Sequence, residues 1–340
     1  YGGWDDPFSQ GTIRGFMGYN YEGASDARGH QILILGGIGH GFIVGDINWP
    51  DAMSIPSAGS DAESFLFNTE LMEFNGARGS GTYEAAWDAR TKVFYYMYSD
   101  PAYHGVDSRA CAWHTANDWP VSNTPQKWYF HKGNTQHTGE LELFAPSGTE
   151  SQSYIYDPNN PCPTNGGNNL FDTHVDSSAK IGQGSTDQRG DGFYYNNGLP
   201  NIVTRNDVIT FTSDTLDSAY EFTGNVQAKL YVQSDQPDTD FVAKLIDVFP
   251  DGREMLITDG LTRSCRRNGF DQTDWMSSGN TYEVDVDLWS KAWRFQPGHK
   301  IKLLITSSNY PRFLRNPNKQ QEIIPTSLPG DYNVAVNTIM

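Results

Sequence analysis

From Lys127 to Asn309 the sequence repeats one pattern, a short run of alternating apolar and polar residues closed by Gly, Pro, Asn or Asp. The runs are KWYFHKG, GELELFAP, QSYIYDPNNP, NDVITFTSD, YEFTGNVQAKLYVQSD, TDFVAKLIDVFPDGREMLITDG, TYEVDVDLW and HKIKLLITSSN. Alternation is the period of a strand with one buried face, and it is clearest from Glu221 to Val232. Pro250-Asp251-Gly252 supplies the turn chemistry of a hairpin. The pattern predicts antiparallel sheet, and about eight strands so spaced suit a sandwich or jelly roll.

The residues before this are written differently. Gln31 to Leu35 (QILIL) is a continuous apolar run, the mark of a strand buried on both faces, and Lys92 to Tyr98 (KVFYYMY) reads as another strand. Apolar residues near helical spacing predict helices over 8–19, where glycines at 11, 15 and 18 weaken the pattern, and over 62–74, with a further segment at 83–89. This is α/β texture. The 340 residues exceed what one hydrophobic core usually holds, roughly 250–300. The change at Trp119-Pro120 therefore predicts two domains, an α/β unit over 1–120 and an all-β unit over 121–340.

Charge narrows the range of partners. There are 41 acidic and 24 basic residues, net −17, a balance that repels phosphate backbones and anionic lipid and argues against nucleic acid or a membrane surface. The apolar runs are far shorter than the ~20 residues of a spanning helix. Cys111, Cys162 and Cys265 show no metal-ligand spacing and permit at most one internal disulfide; Cys162 reads as a buried small hydrophobe. Asp238 and Asp240 in SDQPDTDF invite a calcium reading but lack the regular oxygen ladder of a calcium loop. No metal and no cofactor are expected. Trp113, Trp119 and Trp128 cluster at the predicted junction, where their area would join the two units. Low lysine with abundant Asn, Tyr and Trp favours secretion over the cytoplasm.

Four stretches of the second unit carry a resemblance: YIYDPNNPCPTNGG (154–167), RNDVITFTSDTL (205–216), DTDFVAKLIDVFPDG (238–252) and PGHKIKLLITSSNYPRFLRNPN (297–318). With them the chain resembles the cocaine esterase and X-prolyl dipeptidyl aminopeptidase family of serine hydrolases, which includes α-amino acid ester hydrolases and glutaryl acylases. The resemblance runs from Tyr1 to about Asn318. It implies the C-terminal portion of an α/β-hydrolase domain followed by a jelly-roll β-sandwich. GGWDDPF resembles the family's Gly-Trp-Tyr-Asp turn, which places the triad acid on Asp6. GHQILILGGIGHG resembles the strand ending in Gly-Pro-Trp-x-His, which places the triad histidine on His40. This sequence departs from the pattern at Asp5, where Tyr is usual, and at Gly37 and Ile38, where Pro and Trp are usual. Asp5 is expected to be a solvated neighbour. His30, His104, His114, His131, His137, His174 and His299 lie outside the motif and are read as structural or exposed.

A serine hydroxyl needs a histidine to take its proton and a carboxylate to hold that imidazole in the right tautomer. In α/β-hydrolases these come in the order Ser, acid, His. Asp6 and His40 fit the second and third places. No G-x-S-x-G elbow occurs in the 340 residues, and the nearest forms, Ser80 in RGSGT and Ser185 in GQGST, follow the histidine. The resemblance therefore implies a nucleophile, an oxyanion-hole tyrosine and most of a parallel sheet on polypeptide preceding Tyr1. That polypeptide would be an N-terminal segment or a companion chain. The expected activity is cleavage of a small acyl ester, amide or peptide, with dipeptidyl-peptidase and esterase chemistry both open. The alternative is a catalytically inactive, hydrolase-derived structural or assembly-forming protein. Either form is compatible with a homo-oligomer.

Overall fold

The computed structural model describes residues 1–40, 45–52, 91–169, 182–190, 201–322 and 331–340. The helices expected over 62–74 and 83–89, together with Ser80 and His174, lie outside them. Among the described residues the protein is mostly β-sheet.

The first strand, β1 (Gly2–Asp5), leads through a turn into the helix α1 (Ser9–Met17). The helix continues as a π-helical turn over Gly18–Glu22, and its glycines at 11, 15 and 18 face open space, so they weaken the helix without clashing. The apolar runs become β2 (Leu33–Gly39) and β3 (Val93–Ser99), both buried throughout. These three strands are parallel, with Gly3 opposite Gly36 and Leu35 opposite Tyr95. β4 (Ala112–Ala116) then runs antiparallel to β3.

The alternating runs form β5 (Tyr129–Lys132), β6 (Thr138–Glu142), β7 (Gln152–Tyr156), β8 (Ile209–Thr212), β9 (Tyr220–Ser234), β10 (Asp240–Val248), β11 (Glu254–Arg263), β12 (Tyr282–Phe295) and β13 (Lys300–Thr306). A last strand, β14 (Ala335–Ile339), closes the order. The hairpin foreseen at Pro250-Asp251-Gly252 joins β10 to β11, with Gly252 at φ +89° and its N–H donated to Phe249 O at 2.9 Å.

The strands assemble into two sheets. One runs β1-β2-β3-β12-β9-β14-β7 with β4 also on β3; the other runs β11-β10-β13-β8-β6-β5. β3 meets β12 in parallel, Tyr98 opposite Trp293 and Ser99 opposite Arg294, so strands from both sides of residue 120 share a sheet. One core joins the two sheets, with Leu230, Val232, Val284 and Val286 from the first and Phe241, Leu245, Ile257 and Leu303 from the second. Trp119 belongs to this core, and Trp113 and Trp128 pack against it half-buried.

Strand β10 has no exposed residue. One face looks into the shared core; the other is covered by a smaller cluster in which Ile246 meets Cys162, Ile202, Val208 and Leu304. Loops 157–169 and 182–190 lie over this outer side. Thr164 N–H donates to Tyr310 O, Cys162 N–H to Ser308 Oγ, Gln188 N–H to Glu254 O, and Gly167 and Gly184 exchange backbone bonds. Asp238 accepts from Arg263, Ser264, the Cys265 N–H and Asn316, and Asn316 also donates to Asp240. These two aspartates tie loops together with protein donors. Among the described residues no group of three or more His, Cys, Asp or Glu side chains could hold a metal. The three cysteines are buried free thiols, and burial pushes Cys162 up to about 11, well away from thiolate chemistry.

Candidate active site

Two loops at the ends of parallel strands bring Asp6 and His40 together. β1 places Trp4 in the core, its indole N–H donating to Tyr96 O at 2.7 Å, and the chain then turns, with Asp6 N–H donating to Gly3 O and Ser9 N–H to Asp6 O. Within this turn Asp6 Oδ1 accepts the Phe8 N–H at 2.8 Å. Oδ2 points the other way and lies 3.1 Å from His40 Nδ1. One oxygen anchors the carboxylate to its own backbone and the other holds the imidazole. The His40 side chain is 39% exposed and that of Asp6 18%, so the pair sits at the surface of the described residues. The Phe8 ring meets the imidazole edge-on at 5.6 Å between centroids.

β2 delivers His40 as the residue after its last position. The strands approach very closely here. A Cβ on Gly3 would collide with the carbonyl oxygen of Ile38, and one on Gly37 would lie 2.6 Å from the Tyr96 ring. Small residues at 3 and 37 are therefore a steric condition for β1, β2 and β3 to lie side by side. After His40 the chain is tied down again where Asp46 N–H donates to Ser185 O at 2.8 Å and Asp46 Oδ2 accepts the Asp187 N–H at 2.9 Å.

Asp5 corrects the expectation of a solvated neighbour. Its side chain is 2% exposed, paired with Lys291 Nζ on β12, and accepts from Tyr98 Oη at 2.7 Å. Burial, and then the Asp5 charge, push the Tyr98 phenol well up, so it stays a donor. The carboxylate that replaces the usual Tyr is satisfied inside the sheet and points away from His40's partner. Lys291 escaped the sequence reading because an irregularity between Asp287 and Ser290 shifts the phase of β12, turning Ser290 to Trp293 into a fully buried run. A lysine directly before Ala292 and Trp293 was the available sign.

The other sequence candidates lie apart. Ser185 is buried, with its hydroxyl donated to Leu256 O at 2.6 Å. His104 meets Asp51 at 3.0 Å. His299 is fully buried between Asp247, 2.8 Å from Nδ1, and Asp100, 3.5 Å from Nε2. Asn168 was not singled out from the sequence at all, yet its amide reaches the Asp6 turn; an asparagine in a polar loop offers no pattern to read.

Comparison with known proteins agrees with this architecture. The family model described as "X-Pro dipeptidyl-peptidase C-terminal non-catalytic domain" matches residues 85–339, which leaves Asp6 and His40 before the matched region. Cocaine esterase of Rhodococcus sp. (strain MB1 Bresler) is 36% identical over 219 residues, 63% of this chain and 34% of that protein. Among solved structures, an α-amino acid ester hydrolase labelled with selenomethionine superposes with a TM-score of 0.73 at 21% identity, covering 99% of this chain and 52% of that one. A crystal structure of an aminopeptidase from the marine sediment archaeon Thaumarchaeota archaeon gives 0.71 at 20%, covering 99% and 51%. The chain thus spans about a third of the length of the curated relative and about half of the two solved chains. With a match over most of its length and the fold to accompany it, the chain belongs to the X-Pro dipeptidyl-peptidase C-terminal domain family.

Proposed function

We propose that this chain is the C-terminal portion of a serine hydrolase that cleaves a small acyl ester, amide or peptide. Residues 1–120 are the end of an α/β-hydrolase domain and residues 121–340 a jelly-roll β-sandwich. Asp6 and His40 serve a nucleophilic serine carried by polypeptide outside these residues, an N-terminal segment or a companion chain. The observation that carries this reading is the 3.1 Å contact between His40 Nδ1 and Asp6 Oδ2. A carboxylate at Nδ1 selects the tautomer with its proton there, which leaves Nε2 as the nitrogen that takes the serine proton and returns it to the leaving group. The Phe8 N–H on Oδ1 keeps the Asp6 carboxylate aimed at the imidazole while that ring gains charge. The position of β1 also supports the reading: among the described residues it is the outermost of the parallel strands, and parallel strands are normally covered on both faces and flanked.

Asp6→Asn tests this directly. It should leave unfolding unchanged and lower turnover of an acyl ester by about 10⁴-fold, because the amide favours the wrong imidazole tautomer. A serine-directed fluorophosphonate should label the native protein, yet leave residues 1–340 unmodified on peptide mapping. Full turnover in Asp6→Asn, or a label on Ser185, would overturn the assignment. A native protein that takes no label would instead be the hydrolase-derived structural protein.

A further inference from the structure

The side chain of Asn168 is buried against the turn that carries Asp6, although 162 residues separate them. Its Nδ2 donates to Trp4 O at 2.8 Å and to Asp6 O at 2.9 Å, and lies 3.2 Å from Ser9 Oγ. Backbone carbonyls can only accept, so the amide must present its NH₂ here, and neither a carboxylate nor an apolar side chain can replace it. The two carbonyls bracket the point where β1 ends and the chain bends towards α1. Rotation of the Asp6 peptide would swing the carboxylate away from His40; two hydrogen bonds to the flanking carbonyls oppose that rotation.

Asn168 is itself held. Next to it, Gly167 exchanges backbone hydrogen bonds with Gly184 at 2.8 and 2.9 Å. Gly167 also packs so closely on the buried Asp259–Arg312 pair that a Cβ there would lie 3.0 Å from Asp259 Oδ1. That pair is closed by Asn309, which donates to Asp259 at 2.7 Å and accepts from Lys244 at 2.9 Å. Burial alone would push Asp259 up; Arg312, Lys244 and Asn309 outweigh it and hold the carboxyl below its usual range. The loop that carries Asn168 is therefore bonded through its backbone to Gly184 and packed on a buried charge cluster rooted in β10 and β11.

We propose that Asn168 is a positioning residue for the Asp6–His40 pair: it sets the peptide geometry of the Asp6 turn, and through it the direction of the carboxylate. The effect on turnover rests on the hydrolase reading above, whereas the effect on the pair does not. In the native protein Asn168→Leu, which removes both donors at similar volume, should unfold as cooperatively as the wild type. It should lose the downfield proton resonance of His40 Nδ1, and hydrolyse 4-nitrophenyl acetate with a kcat about 10²-fold lower at little-changed KM, the size of effect that a misplacement of about 1 Å produces. A folded Asn168→Leu that keeps the resonance and kcat overturns the proposal. If the variant does not fold, the wild type decides: the Asn168 side-chain amide protons should exchange slowly with solvent, and rapid exchange overturns the proposal as well. Should the wild type prove inactive, the hydrolase reading fails while the His40 resonance still answers for Asn168.

Discussion

Asp5 and Asp6 are adjacent carboxylates on one turn with opposite surroundings. Asp5 faces inward to Lys291 and Tyr98, and Asp6 faces the surface and His40. The inner one is held as a buried ion pair between β1 and β12, and such a pair is costly to break from one side because the remaining charge has no solvent. Lys291→Met should lower unfolding free energy by about 3–5 kcal/mol in a denaturant titration. Asp5→Leu added to Lys291→Met should recover most of that loss, since the double variant leaves no orphaned charge. The resemblance of GGWDDPF to a family turn put Asp6 forward with His40, and the two side chains lie 3.1 Å apart. The role of Asp5 was not legible. Its partner lies 286 residues away, and nothing local distinguishes a buried aspartate from a solvated one.

At the level of elements, alternation and apolar runs marked nearly every strand, because each buries one face or two. β1 (GGWD) was reached only through the family resemblance, and the strands that escaped altogether were β4 and β14. β4 (AWHTA) has no fully buried residue, and β14 (AVNTI) is short, with Asn337 turned inward onto Thr239 and Ser307. Both are specified by their neighbours in the sheet rather than by their own pattern. The seam between β1 and β2 tests how far the site depends on strand spacing. Gly3→Ala would press a methyl group against the Ile38 carbonyl, forcing β1 outward. Overpacking of this kind costs about 1–3 kcal/mol. The thermal midpoint should fall, and turnover should fall further than stability alone explains, because the displaced strand carries Asp6. An activity loss that tracks only the unfolded fraction would separate the site from the seam.

Across the whole molecule, buried charges set the response to pH. Burial alone would lower His299; the facing carboxylates Asp100 and Asp247 outweigh it and push it up to about 9 from an ordinary value of 6.5. Trp293 Nε1 donates to the same Asp247 at 2.9 Å. A histidine raised in the folded state stabilises fully below its unfolded value, and that contribution is lost as pH climbs through the folded one. Stability should therefore decline between pH 6.5 and about 9 by an amount on the order of 3 kcal/mol. In His299→Gln the decline over that window should be absent, as read from thermal melts at fixed ionic strength.

The parallel step from β3 to β12 has a consequence for how such a chain comes into being. Ser99 lies opposite Arg294, and the larger sheet takes strands from the first hundred residues and from the last ten. That sheet can close only after β9, β12 and β14 have all been synthesised, leaving Tyr98 and Ser99 at the end of β3 to wait for their partners on β12. Topologies dominated by such remote pairings fold slowly and expose sticky strands meanwhile. Synthesis of this protein should be correspondingly dependent on whatever shields nascent β-structure from its neighbours.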